Sequence, residues 1–365
     1  MRTFVLCLLS ALLCFLSGDG LVVGVASATA ATASSDPAAS STVSSSSSSS
    51  NPILIETIHS FGLNISLENL AVRHSGEIIV GFDNAPILYQ VDPKVNGSTK
   101  FIHLFNDYFD IHGITEVKRD QFYVVVGNLS LVTHIAVPGH GAVYHVDMSC
   151  FPEKVEVNKV ANFNESMILN GMTVFDRERG LVYIADSRVG VVNILNVYTG
   201  KHSVAINDTL TNQPPNATDT SKCIDSVHVV EIDECKYLYF SNFVKGLIGR
   251  VALDEDGYAK GAAEIVIDGL NAPEDFILDK EGKYIYLALF KANEIIRIDI
   301  ATKAIKVLAG SPDSSTYKWA VAVEFGRRER DKDDLYFTIN GGFLEPDNVG
   351  GTVFRIPNVS DIPDY

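Results

Sequence analysis

The sequence predicts an all-β fold, a six-bladed β-propeller of four-stranded antiparallel blades. Three observations carry this. From about Pro52 on, Val, Ile, Tyr and Phe alternate with polar residues at period two. Asp, Asn and Gly interrupt these runs at short intervals, as tight turns require. One unit of short apolar runs separated by polar turns recurs six times between residues 52 and 365, about 52 residues per copy, close to the size of a propeller blade. A β-sandwich, or two smaller β domains, is the alternative that the same short strands allow.

Residues 1–18 precede this pattern and read as a signal peptide: Arg2, then an apolar run from Phe4 to Leu16, too short to span a bilayer as a helix. Cleavage falls after Gly18 or as late as residue 31, and the apolar run Leu21–Ala26 leaves a signal anchor as the alternative. Residues 19–51 are rich in Ser, Ala and Thr and end in seven serines, Ser44–Ser50. Such a segment buries too little apolar surface to offset its ordering entropy, so a disordered linker is expected. Seven Asn-x-Ser/Thr sequons, at Asn64, Asn96, Asn128, Asn164, Asn207, Asn216 and Asn358, fit a glycosylated chain of the secretory pathway, extracellular once released. Beyond the leader the cysteines are Cys150, Cys223 and Cys235, an odd number, and a Cys223–Cys235 bridge across one strand pair is conceivable.

The six copies run Leu67–Asp92, Ile111–Asp147, Leu169–Ile206, Ile224–Leu253, Ala272–Ala309 and Lys318–Ile356. A net charge of −16 excludes a nucleic-acid partner, since phosphates need a basic surplus, and no membrane span is expected in the mature chain. In a closed ring the openings of the first strands and the ends of the second strands converge on one mouth of the axial channel. The first set is Glu68–Asn69, His112–Gly113, Asn170–Gly171, Asp225–Ser226, Glu274–Asp275 and Trp319–Ala320. The second is Asp83–Asn84, Asn128, Asp186–Ser187–Arg188, Asn242–Phe243, Phe290–Lys291 and Asn340. Polar rings with aromatic members suit a concave small-molecule site. Turn chemistry is the competing reason for Asp and Asn at strand ends. Trp319 either lines that site or packs between blades.

At LNGMTVFDRERGLVYIADS, KYLYFSNFVKGLIGRV, APEDFILDKEG and AVAVEFGRRERDKDDLYFTINGG the chain resembles the gluconolactonase/senescence-marker-protein superfamily of six-bladed propellers. Within it, the chain is similar to a secreted fungal branch that includes hetero-Diels–Alderases of tropolone–sesquiterpenoid biosynthesis. The superfamily's lactonases imply one divalent ion, with Glu68, Asn170 and Glu274 at the matching positions; oxygen ligands of this kind would suit Ca²⁺. The fungal branch implies a cofactor-free cycloaddition between a tropolone-derived o-quinone methide and a sesquiterpene alkene. In that reading His112, Asn170, Arg188 and Asn340 are candidate hydrogen-bond donors. Asp225, Phe243, Phe290, Trp319 and Phe343 are candidate substrate contacts. A metal-dependent lactonase, with Asp225 or His112 as base, and a non-enzymatic secreted binding propeller are the alternatives. No Gly-x-Ser-x-Gly elbow is present, which argues against serine hydrolysis.

Overall fold

A computed structural model describes residues 52–95, 97–133, 135–214 and 222–363. The expected signal peptide and linker, and the sequons at Asn96 and Asn216, lie outside the described residues. The described chain is six four-stranded antiparallel sheets plus a two-stranded hairpin and one 3-10 turn, Val359–Asp361.

Blade one is Leu67–Val72, Ile78–Phe82, Ile87–Asp92 and Ser98–Leu104. Blade two is Asp110–Lys118, Gln121–Gly127, Gly141–Asp147 and Glu156–Phe163; between its second and third strands the hairpin Leu129–Ser130/Ile135–Ala136 is inserted. Blade three is Leu169–Asp176, Leu181–Asp186, Val191–Asn196 and His202–Asn207. Blade four is Ile224–Ile232, Cys235–Asn242, Leu247–Ala252 and Glu264–Ile267. Blade five is Pro273–Leu278, Tyr284–Leu289, Glu294–Asp299 and Ile305–Gly310. Blade six takes Ala320–Phe325, Leu335–Ile339 and Thr352–Ile356 from the end of the chain, and its outer strand, Glu56–Ser60, from the beginning. The repeat pattern did not reveal this exchange, because one strand alone carries no repeat signal.

The period-two pattern is two-sided. Inner strands bury nearly every residue, since both faces meet a neighbouring blade; the fourth strands are largely open to solvent, as in Ser98–Leu104, where only Ile102 is buried. Apolar clusters therefore bridge blades: Phe175, Tyr183 and Val192 of blade three pack with Val227, Leu238 and Phe240 of blade four. Each first strand contacts the first strand of the next blade, and the sixth contacts the first, so the ring closes.

Every first strand carries one extra residue against its partner, a β-bulge at its axial end. In five blades the unpaired residues are the polar pairs Glu68–Asn69, His112–Gly113, Asn170–Gly171, Asp225–Ser226 and Glu274–Asp275. A bulge re-aims side chains that ordinary pleating would send to alternate faces. The glycines answer a packing need: a Cβ on Gly171 would lie 2.6 Å from the Ser226 Cα, and one on Gly113 2.5 Å from the Asn170 carbonyl oxygen.

The Cys223–Cys235 bridge does not form. Cys223 adjoins the end of blade four where Ile224 pairs with Asn242, and Cys235 pairs with Ile232 at the other end. Nine residues of strand hold the thiols roughly 25 Å apart. All three cysteines are free, with Cys223 buried and its thiol on the Ser187 carbonyl at 2.7 Å. Of the described sequons, Asn64, Asn164, Asn207 and Asn358 are exposed, while Asn128 is half-buried against His140. Among the described residues no helix is long and apolar enough to cross a membrane.

Candidate functional site

The first residue of each polar bulge points into one end of the channel and builds a charged floor. His112 is fully enclosed, with Nε2 3.1 Å from Asp110 Oδ2 and Nδ1 3.6 Å from Glu68 Oε1. Asn170 donates to Asp225 Oδ1 at 2.6 Å. Asp110 Oδ2 also accepts the Leu129 backbone N–H at 3.0 Å, tying the floor to the inserted hairpin. The centre is held by a residue that no sequence pattern singled out. Lys222, in the loop entering blade four, places Nζ 3.2 Å from Glu274 Oε1, 3.6 Å from Asp225 Oδ1 and 3.9 Å from Glu68 Oε1. Its signal was faint: a lone lysine three residues before Asp225, in a loop without periodicity.

Five buried carboxyls, Glu68, Asp83, Asp110, Asp225 and Glu274, share this floor with two bases. Burial disfavours the charged form of each group, and neighbours decide which stay ionised. Burial and the adjacent Asp225 push Glu274 well above the usual carboxyl range. Its Oε2 meets no hydrogen-bond partner among the described residues. Burial and Glu68 raise Asp83 to about 7. Burial opposes ionisation of Glu68 too, but Lys222 and His112 outweigh it and hold Glu68 below its ordinary value. Lys222 and His112 are likewise penalised by burial, yet the carboxylates around them raise both well above their usual values. The floor near neutral pH therefore holds an ammonium and an imidazolium.

Glu68, Asp83 and His112 each bring one ligand-type atom to within 4.8 Å of the others. They do not fit a divalent ion as they stand. Both ring nitrogens of His112 are already turned to carboxylates, Nε2 to Asp110 and Nδ1 to Glu68, so an ion on this set would have to displace one of these contacts. The set Glu68, Asn170 and Glu274 also converges, but around Lys222.

Above the floor opens a cavity of about 480 Å³, within the range of small-molecule sites. One wall is aromatic: Phe290 stacks on Trp319 with centroids 5.0 Å apart, and Phe243 meets Phe290 edge-on at 5.9 Å. The other wall is aliphatic: Leu129, Leu131, Ile135 and Ala136 from the inserted hairpin, with Met167 and Ile168. Phe343 and Leu344 close the rim. No repeat or motif in the sequence assigns the hairpin to a site.

The sequence-derived residues divide into lining and supporting positions. Glu68, Arg188, Phe243, Glu274, Phe290, Trp319, Asn340 and Phe343 line the cavity; His112, Asn170 and Asp225 lie behind its surface. Among the candidate donors, Asn340 is engaged: its amide nitrogen contacts Ser66 Oγ and Asp83, and its oxygen accepts the Phe343 N–H at 3.1 Å. Asp186, at a second-strand end, accepts backbone N–H groups of Met167, Ile168, Arg188 and Val189, which is turn chemistry. The Arg188 guanidinium lines the cavity with no side-chain partner among the described residues. Lys222 and Arg188 are thus the cationic donors that face the cavity.

Fold and site together define a six-bladed propeller with a mixed charged and apolar pocket at one mouth of its axial channel. No family model matches the chain. It is similar to a protein of Phoma sp named "Putative hetero-Diels-Alderase", with 24% identity over 79% of this chain and 87% of that one. Two solved structures share the fold. A luciferin-regenerating enzyme superposes with a TM-score of 0.60 at 14% identity, over 84% of this chain and 95% of that one. The calcium-binding protein regucalcin of Agrobacterium tumefaciens strain C58 superposes with a TM-score of 0.60 at 16% identity, over 84% and 94%. Both likenesses bear out the expected six-bladed propeller fold.

Proposed function

We propose that the protein is an enzyme of the hetero-Diels–Alderase type, joining an o-quinone methide derived from a tropolone to a sesquiterpene alkene. The observation that carries this reading is the pairing of an aromatic wall with an aliphatic wall across a charged floor where Lys222 and Arg188 face the cavity. The similarity to the Phoma sp protein supports it.

In this reading the flat, electron-poor ring of the quinone methide lies on Trp319 and Phe290, and the alkene packs on Leu129, Leu131 and Ile135. The exocyclic oxygen points at Lys222 and Arg188. A new C–C bond and a new C–O bond form together, no atom leaves, and no base or nucleophile is required. Holding both partners in one relative orientation supplies up to roughly 7–11 kcal/mol at the ideal limit. A preorganised donor at the oxygen, where negative charge develops, contributes about 3 kcal/mol more. Secretory localisation, and the substrates' exact identity, are part of the proposal.

The test is a chiral product analysis. A quinone methide generated from a tropolone precursor is mixed with a humulene-type alkene, with and without the full chain, in EDTA and in Ca²⁺. One dominant stereoisomer, formed faster with protein and equally in EDTA, is expected. The isomer mixture of the protein-free reaction would overturn the reading. Lactone hydrolysis that depends on added divalent ion would favour the lactonase instead.

A further inference from the structure

We propose that Lys222 takes a metal ion's place: its ammonium is the resident cation of the axial floor, and the oxygens around it form a divalent-cation site that only removal of this side chain uncovers. The inference concerns the floor itself and holds whichever reaction the cavity performs.

The geometry is that of a cation site. Oxygens from three blades converge on one point: Glu68 of blade one, Asp225 of blade four and Glu274 of blade five, at 3.9, 3.6 and 3.2 Å from Nζ. Asn170 of blade three reaches the same Asp225 oxygen. The carboxylic residues are 1–4% exposed, so water does not shield them from each other. Converging buried carboxylates need a counter-charge at their focus. An ammonium and a divalent ion are the two ways to supply one, and they exclude each other in space. Calcium binds oxygens at 2.3–2.6 Å, so an ion on Glu68 Oε1 and Glu274 Oε1 would overlap Nζ.

A second observation points the same way. Glu274 Oε2 and Asp83 Oδ1 are buried acceptors with no hydrogen-bond donor among the described residues. Of the three carboxylates around Lys222, only Glu274 Oε1 is within hydrogen-bond distance of Nζ, at 3.2 Å, so the oxygen set is not fully served by the ammonium. With the lysine stem gone, Glu68, Asp83, Asp225, Glu274 and the Asn170 amide oxygen surround a space that hard cations favour, wide enough to admit waters as further ligands.

The experiment uses the full chain in metal-free buffer and measures the thermal midpoint and calorimetric binding of Ca²⁺ for the wild type, Lys222→Ala and Lys222→Arg. The wild type should show no saturable Ca²⁺ binding, and a midpoint indifferent to EDTA. Lys222→Ala should bind about one Ca²⁺, with a midpoint rise of roughly 5 °C at 100-fold excess over Kd, reversed by EDTA. Lys222→Arg keeps the charge and should behave as the wild type. Recovery of folded Lys222→Ala only in Ca²⁺ also supports the proposal. A wild type that binds one Ca²⁺ with an EDTA-sensitive midpoint overturns it, as does a folded Lys222→Ala that binds none. Should Lys222→Ala fold in neither condition, the wild-type measurement decides alone.

Discussion

The two mouths of the axial channel are built from consecutive residues of the same bulges, yet they differ in kind. The first residues, Glu68, Asp225 and Glu274, belong to the charged floor of the upper cavity; the second residues, Asn69, Ser226 and Asp275, line a lower cavity of about 250 Å³. There Asp275 Oδ1 lies 3.3 Å from His228 Nε2 and contacts Ser226 Oγ, with Thr115, Thr173, Arg177 and Glu324 nearby. Phe, Tyr and Trp are absent from that lining among the described residues, and two of the adjoining connections are two-residue turns, Arg119–Asp120 and Asp233–Glu234. The upper mouth is lined by described parts of long connections: Leu129, Leu131, Ile135 and Ala136 before the third strand of blade two, Lys222 before blade four, and Phe343 in 340–351. Bulges therefore supply polar groups to both ends alike, and loop length decides which end becomes a deep, partly apolar pocket.

The sharpest way to break this contrast is to remove the upper cation while keeping its stem. Lys222→Met should lower the protein-dependent cycloaddition rate about 10²-fold, the loss expected for one preorganised donor at a developing oxyanion. Single-turnover kinetics with chiral detection measure it, and an unchanged rate would move the donor role to Arg188 alone.

Asp83→Asn tests the electrostatic half of the contrast. The Asp83 carboxyl is raised from 3.8 to about 7 by burial and by Glu68, so the folded chain keeps a proton there that the unfolded chain has released. Its contribution to stability is complete below about pH 4 and is lost as pH rises through 7. Asn cannot ionise. The stability of Asp83→Asn relative to wild type should therefore improve by roughly 2–4 kcal/mol between pH 4 and pH 8. Urea midpoints at the two pH values check it; a constant difference would mean that Asp83 titrates normally.

The smallest effects compare one residue from each mouth. Trp319→Ala should cost about tenfold in kcat/KM through lost stacking and apolar contact. Glu324→Gln, at the lower mouth, should leave kcat/KM within about twofold. A larger loss at Glu324 than at Trp319 would place the chemistry at the wrong end of the channel.

Much of this architecture was legible in the chain, for a physical reason. Polar pairs such as Glu68–Asn69 and Glu274–Asp275 interrupt otherwise apolar strands at one fixed place in each repeat, so they marked both the ring and the residues facing its axis. The aromatic residues beside strand ends, Phe243, Phe290 and Trp319, were legible by the same register. Legibility ended where register ended. Lys222 lies in a connection with no repeat partner, and the Leu129–Ala136 hairpin has no counterpart in the other blades. The depth of His112, Asn170 and Asp225 was not readable either, because the sequence specifies direction along a strand but not how far neighbouring blades close over a side chain. Asp186 shows the converse: its place in the pattern was right for a site, but its oxygens are spent on its own turn.

The exchange of strands in blade six also sets an order of events. Glu56–Ser60 finds its partner in Thr352–Ile356, almost three hundred residues later. During translation the early strand waits with an open edge until residues 352–356 have left the ribosome, and such an edge is sticky toward other chains. A nonsense codon anywhere before residue 352 would thus leave an unlatched ring, a species expected to aggregate or be degraded rather than act as a shorter enzyme.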